Sequence, residues 1–173
     1  MNIRTLTALL ALVFLLASCG SAYLRTEDHY ENEVGFAIDE EAEIADTVEN
    51  RKVSDVLVQY RRALVRKDVG TLQRLISERY YDNAATTDTT RDDYGDEQLP
   101  ELFELMAQHT DQIKYDVVVK NVQVKERVAW VDYEYEYAYE YKVGETPTWD
   151  AGLDVNRLEL ESENGEWKIV SGL

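Results

Sequence analysis

Tyr133, Tyr135, Tyr137, Tyr139 and Tyr141 recur at every second position, with Asp132, Glu134, Glu136 and Glu140 between them. Successive side chains of an extended strand point to opposite faces. The carboxylates therefore belong in water, and the phenols face an interior or a cavity. A buried phenol is a large apolar ring whose hydroxyl needs a hydrogen-bond partner. A row of them serves a core, or the wall of a pocket for an apolar molecule with a few polar groups. A second concentration lies between Arg79 and Glu97, which carries Asp82, Asp88, Asp92, Asp93 and Asp96. This stretch is too polar for a core and too long for an idle connection, which marks it as a functional loop. Its acidic residues do not follow the alternating pattern, closed by Glu, of a calcium loop, so no metal site is assigned. His109 sits where a helix end would hold it, and His29 lies in a polar segment. The sequence shows no nucleophile elbow, phosphate loop or metal-ligand cluster. No catalytic residue and no cofactor are assigned.

The elements that must position these groups follow from periodicity. From Asp39, apolar residues recur at spacings of three and four through Ala42, Ala45, Val48, Val53, Val56, Leu57, Tyr60 and Leu64, which predicts a helix with Asp39 as N-cap. A break at Lys67-Asp68-Val69-Gly70 precedes a short second helix driven by Leu72, Leu75 and Ile76. A third is predicted from Gln98 to about Thr110, with Pro100 in its first turn and Leu102, Leu105 and Met106 as its apolar face. After Gln112 the period changes to two. Strands are predicted over 114–124, 128–142 and 147–161, and a last one over 167–170 follows the hairpin signal Asn164-Gly165. Trp130, Trp149 and Trp167 are expected to pack the sheet. Helices followed by an antiparallel meander define an α+β class, with the helices on one face of a curved sheet of about four strands.

The chain has 173 residues, with 35 Asp and Glu against 18 Lys and Arg, a net charge of −17. Nucleic acid and anionic lipid surfaces are disfavoured partners, because phosphates require the opposite sign. The acidic surface is expected to keep the domain soluble and off the membrane, or to meet a cationic partner or divalent metal.

At the other end, Arg4 precedes an apolar run from Leu6 to Ala17. This run is shorter than the ~20 residues of a membrane-spanning helix and reads as a cleavable signal. It closes on Leu16-Ala17-Ser18-Cys19, which contains the single cysteine of the chain and resembles the lipobox of bacterial lipoproteins at all four positions. The resemblance implies that residues 1–18 are removed and that Cys19 carries lipid. Gly20 follows in place of the Asp that retains enteric lipoproteins in the inner membrane, implying the periplasmic face of the outer membrane. Residues 19–38 are then expected to form an acidic stalk and residues 39–173 the domain.

Residues 50–173 resemble the NTF2-like superfamily, which includes SnoaL-type cyclases and ketosteroid isomerases. The likeness is carried by Val56-Leu57-Val58-Gln59-Tyr60-Arg61-Arg62-Ala63-Leu64 running into Lys67-Asp68-Val69, and by Asn164-Gly165-Glu166-Trp167-Lys168-Ile169. It implies a cone in which helices close over the sheet. Ketosteroid isomerases hold an oxyanion with a tyrosine of the first helix, and Tyr60 falls at that place. Their aspartate base would fall near Ala84, beside Asn83 and two residues from Asp82. The pocket candidates are accordingly Tyr60, Tyr80, Asp82, Tyr133, Tyr135 and Tyr137, with the base unassigned. Three functions are expected from this reading. One is a non-enzymatic module binding a small apolar ligand or a protein. The second is an isomerase, lyase or cyclase using Tyr60 and a carboxylate. The third is a structural envelope protein that forms a homodimer, or joins another envelope protein, through its sheet.

Overall fold

The computed structural model describes residues 23–83, 91 and 93–173, so Cys19, Ala84, Asp88 and Asp92 lie outside the described residues. The period-two half of the chain forms β4 (Thr110–Lys125), β5 (Val128–Val143), β6 (Thr146–Glu163) and β7 (Glu166–Ser171), an antiparallel meander. Asn164 and Gly165 both take positive φ, 52° and 90°, as a tight hairpin requires. The inward rows of these strands are buried: Val117, Val119 and Val122, then Ala129, Val131 and Tyr133, then Leu158 and Leu160, then Trp167 and Ile169. Over them lies α2 (Val48–Arg66), which buries Val53, Val56, Leu57, Tyr60 and Ala63, followed by α3 (Val69–Leu75) with Leu72 and Leu75. Each fully buried leucine of this kind stabilises the fold by roughly 2 kcal/mol. Lys67 ends α2 in the left-handed region, and Asp68 caps α3 by accepting from the Thr71 amide at 3.0 Å.

The start of α2 departs from its predicted position. Asp39 caps no helix; its amide donates to the Val119 carbonyl at 2.9 Å and its carboxylate meets Lys120 at 2.8 Å. The helix begins at Val48, where the Thr47 hydroxyl accepts from the Asn50 amide at 3.1 Å. Ala42 and Ile44 are buried all the same, in an irregular segment rather than a helix. Sheet pairing claims the backbone of Asp39 before a helix can nucleate there.

The expected stalk is also corrected. Residues 23–38 are packed onto the domain, with Leu24, Tyr30, Phe36 and Ile38 buried. They contribute α1 (Thr26–His29) and β1 (Phe36–Ile38), the latter pairing parallel with Val117–Val119 of β4. The main sheet therefore has five strands, in the order β1-β4-β5-β6-β7. Arg62 of α2 pairs with Glu33, and the Tyr30 hydroxyl donates to Asp55 at 3.0 Å. A strand of three residues is too short to reveal a period, so its polar neighbours dominated the reading.

In α4 (Leu99–His109) the buried residues are Leu99 and Phe103, with Met106 at the margin, while Leu102 and Leu105 are exposed. The rotation of the helix thus differs from the predicted face. Short strands β2 (Tyr81–Asp82) and β3 (Tyr94–Gly95) pair with each other ahead of α4.

Beyond the core, the long arms of β5 and β6 change character. Tyr135, Tyr137, Tyr139 and Tyr141 stand opposite Asp154, Gly152, Asp150 and Thr148, and opposed residues share a face. The other face of β6 carries Pro147, Trp149, Ala151, Leu153 and Val155, all exposed. Trp149 therefore does not pack the sheet; Trp167 does, and Trp130 lies under the Lys125 ammonium.

Candidate functional site

Register places the tyrosines of β5 in one stacked file on the helix side of the sheet. Ring centroids step by 5.8 Å from Tyr133 to Tyr135, 6.0 Å to Tyr137, 5.9 Å to Tyr139 and 5.8 Å to Tyr141. Tyr115 of β4 stacks on Tyr135 at 5.1 Å and meets the edge of Tyr60 at 6.3 Å. The file starts in the core and runs outward: Tyr133 is 1% exposed, whereas Tyr135 to Tyr141 are half-buried. It thus spans two environments.

The inner end is filled. Burial pushes the phenols of Tyr60, Tyr115 and Tyr80 far above their usual range. Tyr133 is pushed up to about 12 by burial, held back by hydrogen bonds from Tyr115 and Asn156. Beside this cluster, the pairing of β2 with β3 sets Asp82 opposite Tyr94. The Tyr80 hydroxyl donates to Asp82 Oδ2 at 3.2 Å, and the same oxygen accepts the Gly172 amide at 2.9 Å. Leu173 gives its amide to the Tyr80 hydroxyl at 3.1 Å and takes the Tyr94 hydroxyl on its carbonyl at 2.6 Å. Asp82, the nearest described carboxylate to the expected base position, is therefore bonded to the chain's own backbone. Burial of Tyr60 is the basis of its raised phenol, with Tyr133, Tyr94 and Tyr135 as its charged-state neighbours. An oxyanion at Tyr60 would have to form among other phenols.

The outer end is open. Leu64 of α2, Met106 of α4, Thr110, Ile113, Lys114 and Tyr115 of β4, and Tyr137 and Tyr139 of β5 surround a cavity of about 350 Å³. Among the described residues, neither a carboxylate nor an imidazole lines it. Tyr137 lies flat against the sheet because Gly152 stands opposite: a Cβ there would come within 2.8 Å of the Tyr137 hydroxyl. Tyr139 donates to Asp150 at 2.7 Å, and this bond to a carboxylate pushes its phenol up to about 12. The two rings stack on each other with 17° between their planes and together form one side of the cavity.

Of the candidates read from the sequence, Tyr60, Tyr133 and Tyr135 meet at the inner end, and Tyr80 and Asp82 adjoin them through Tyr94. Tyr137 belongs to the outer cavity. Sequence reasoning missed Tyr94, Asn156 and the outer wall of Leu64, Met106, Ile113 and Tyr115. Tyr115 was legible in principle, since it shares the alternation of Val117 and Val119 on the core face. Tyr94 was hidden inside the acidic loop. His109 is exposed at the end of α4.

Neither a protein-family model nor a curated protein matches this sequence. Solved structures do match. A proposed dehydratase of the NTF2-like family from Streptomyces avermitilis superposes with TM-score 0.59 at 16% identity, covering 70% of this chain and 92% of that one. A proposed scytalone dehydratase from Novosphingobium aromaticivorans gives 0.58 at 15%, covering 72% and 81%. A ketosteroid isomerase-like protein from Erwinia carotovora gives 0.57 at 17%, covering 73% and 94%. The fold is therefore NTF2-like, α+β with helices closing over a curved sheet. At these identities the likeness carries the architecture and leaves the chemistry to the residues in place.

Proposed function

We propose that this chain is a lipid-anchored envelope protein whose NTF2-like domain binds a small, flat, apolar molecule without transforming it. The observation that carries the reading is the contrast between an apolar cavity of about 350 Å³ walled by stacked tyrosines and a carboxylate, Asp82, bonded to the Gly172 amide. A cavity of this size suits a ligand of a few fused rings. The tyrosine faces supply offset stacking, and the surfaces turned to the cavity are apolar. Isomerase, lyase or cyclase chemistry would require a base within hydrogen-bond reach of the bound molecule, and the described lining residues offer no carboxylate or imidazole.

The anchor in this reading is Cys19, with the domain on the periplasmic side of the outer membrane. Packing begins at Tyr23, which bridges to Ala45, and at Leu24, which is fully buried. From Cys19 to Tyr23 the chain reaches at most ~14 Å even when extended. The domain would therefore ride close to the lipid surface rather than on a long stalk. Two measurements test the proposal. Cys19→Ala should abolish acylation and release the protein from membranes; continued membrane retention would refute the anchor. Native mass spectrometry of residues 20–173 purified from the host should show a retained molecule that Met106→Trp, which fills the cavity, displaces. A molecule still held by Met106→Trp would refute the site.

A second reading rests on the exposed row Pro147, Trp149, Ala151, Leu153 and Val155. A strand does not ordinarily leave five apolar side chains in water, and a second copy of the chain would cover them. An isologous pairing sets row against row while Glu134, Glu136 and Glu140 of β5 stay at the rim. Leu153→Asp should then convert a dimer to a monomer in sedimentation velocity. A wild-type chain that sediments as a monomer at high concentration would remove this reading.

A further inference from the structure

At the inner end of the cone the backbone of Gly172 and Leu173 has left the sheet. The β6–β7 ladder ends with Ser171 opposite Glu159. The polar groups of the next two residues are bonded to side chains instead. Asp82 Oδ2 accepts the Gly172 amide at 2.9 Å, and Asn156 Nδ2 donates to the Gly172 carbonyl at 3.0 Å. The Tyr80 hydroxyl accepts the Leu173 amide at 3.1 Å, and the Tyr94 hydroxyl donates to the Leu173 carbonyl at 2.6 Å. Acceptor, donor, acceptor and donor thus match the order amide, carbonyl, amide and carbonyl along the Gly172–Leu173 backbone. The four side chains come from β2, β3, β6 and the turn before β2.

The site has further selectivity. Gly172 takes φ +92°, and a Cβ there would fall 2.0 Å from the Arg157 carbonyl oxygen. Only glycine fits at that position. Leu173 packs its side chain against the core cluster. The cradle also keeps part of its shape without an occupant, because Tyr80 bonds Asp82 directly and Asn156 bonds Tyr133. Preorganisation of this kind lowers the cost of exchanging one peptide for another. Because the segment lies beyond the end of the ladder, it can open without breaking any strand pairing.

We propose that Tyr80, Asp82, Tyr94 and Asn156 form a peptide-binding cradle whose built-in, releasable occupant is Gly172–Leu173, and that a peptide carrying Gly-Leu, with its glycine at positive φ, competes for it. Recognition is directed at the backbone, as when a strand is added to a sheet, with glycine and leucine as the selective positions. Release frees two phenols, a carboxylate and an amide at the inner end of the cone. This inference is independent of the outer cavity, which lies at the other end of the tyrosine file.

Hydrogen exchange on the intact protein tests the releasable occupant. The amides of Gly172 and Leu173 should exchange through local opening, at least ~100-fold faster than those of Val119 and Val131. Asp82→Ala should speed the Gly172 amide a further ~10-fold while leaving Val131 unchanged. Exchange of Gly172 and Leu173 at the rate of Val131 would overturn the proposal, whatever the behaviour of any shortened chain. Competition is tested with a chain lacking residues 172–173 and the peptide acetyl-Val-Ser-Gly-Leu-amide. Saturable binding is expected, with loss of binding in Tyr94→Phe and for the peptide acetyl-Val-Ser-Ala-Leu-amide. A folded shortened chain that binds neither peptide, or binds both equally, would refute the cradle.

Discussion

The two ends of the tyrosine file are built from the same residue type on the same strand, yet they do opposite things. At Tyr133 the ring lies beside Tyr60 and Tyr115, its hydroxyl is bonded by Tyr115 and Asn156, and the residue is almost fully buried. At Tyr137 and Tyr139 the rings face a cavity and their partners are Gly152 and Asp150 across the sheet. The difference arises in the neighbours. Where α2 and the backbone of Gly172 and Leu173 press on the sheet, phenols become core. Beyond Leu64, where α2 nears its end, they become a wall. In the proposed reading the inner end serves stability and the outer end receives the ligand.

Alkaline titration gives the largest expected separation of the two ends. The phenols of Tyr60, Tyr80 and Tyr115 are raised by burial, whereas in the unfolded chain each ionises near pH 10. Because their folded values lie higher, the stability they contribute is whole below pH 10 and is lost as pH rises above it. The loss is about 1.4 kcal/mol per pH unit for each phenol that stays protonated in the fold. Circular dichroism should show cooperative unfolding above pH 10. Stepwise phenolate absorbance with no loss of structure would mean the inner end is not closed. The truncation Tyr133→Ala should cost about 4 kcal/mol, whereas Tyr139→Ala should cost less than ~1 kcal/mol. Urea midpoints compare them directly, and equal costs would erase the contrast.

Smaller effects sharpen the outer end. Gly152→Val places a side chain where the Tyr137 ring lies and should push that ring into the cavity. Ligand affinity should fall about tenfold, with a stability cost of ~1–2 kcal/mol; fluorescence binding and urea denaturation read the two separately. The least change is expected from Asp150→Asn. Removing the carboxylate that accepts from Tyr139 should return its phenol from about 12 toward the ordinary range. One early absorbance step should appear at alkaline pH, with the unfolding limb unmoved.

Much of this architecture was legible from periodicity. The strands from Thr110 to Ser171, the break at Lys67-Asp68 and the hairpin at Asn164-Gly165 each carry a local signal that tertiary structure did not override. The tyrosine file was readable because alternation fixes a face. What alternation does not fix is how far along a strand the helices reach, so the passage from core at Tyr133 to open wall at Tyr137 had no signature. The packed segment from Tyr23 to Ile38 escaped notice for a related reason. Its apolar residues are spaced irregularly, and each is buried by a partner distant in sequence, as Phe36 is by Val117 of β4. Asp39 shows the same limit: a good N-cap residue was claimed by Lys120 and the backbone of β4. Asp82 looked like a base displaced by two positions, and only the fold reveals that Gly172 has taken its carboxylate.

The central claim is that the outer cavity, and not the inner cluster, receives the ligand. Titration with Nile red, a neutral planar dye suited to a chain of net charge −17, tests it directly. Saturable fluorescence gain at one site is expected for the native protein, weakened at least tenfold by Met106→Trp and unchanged by Asp82→Ala. Binding that survives Met106→Trp and disappears in Asp82→Ala would place the ligand at the inner end and contradict the account.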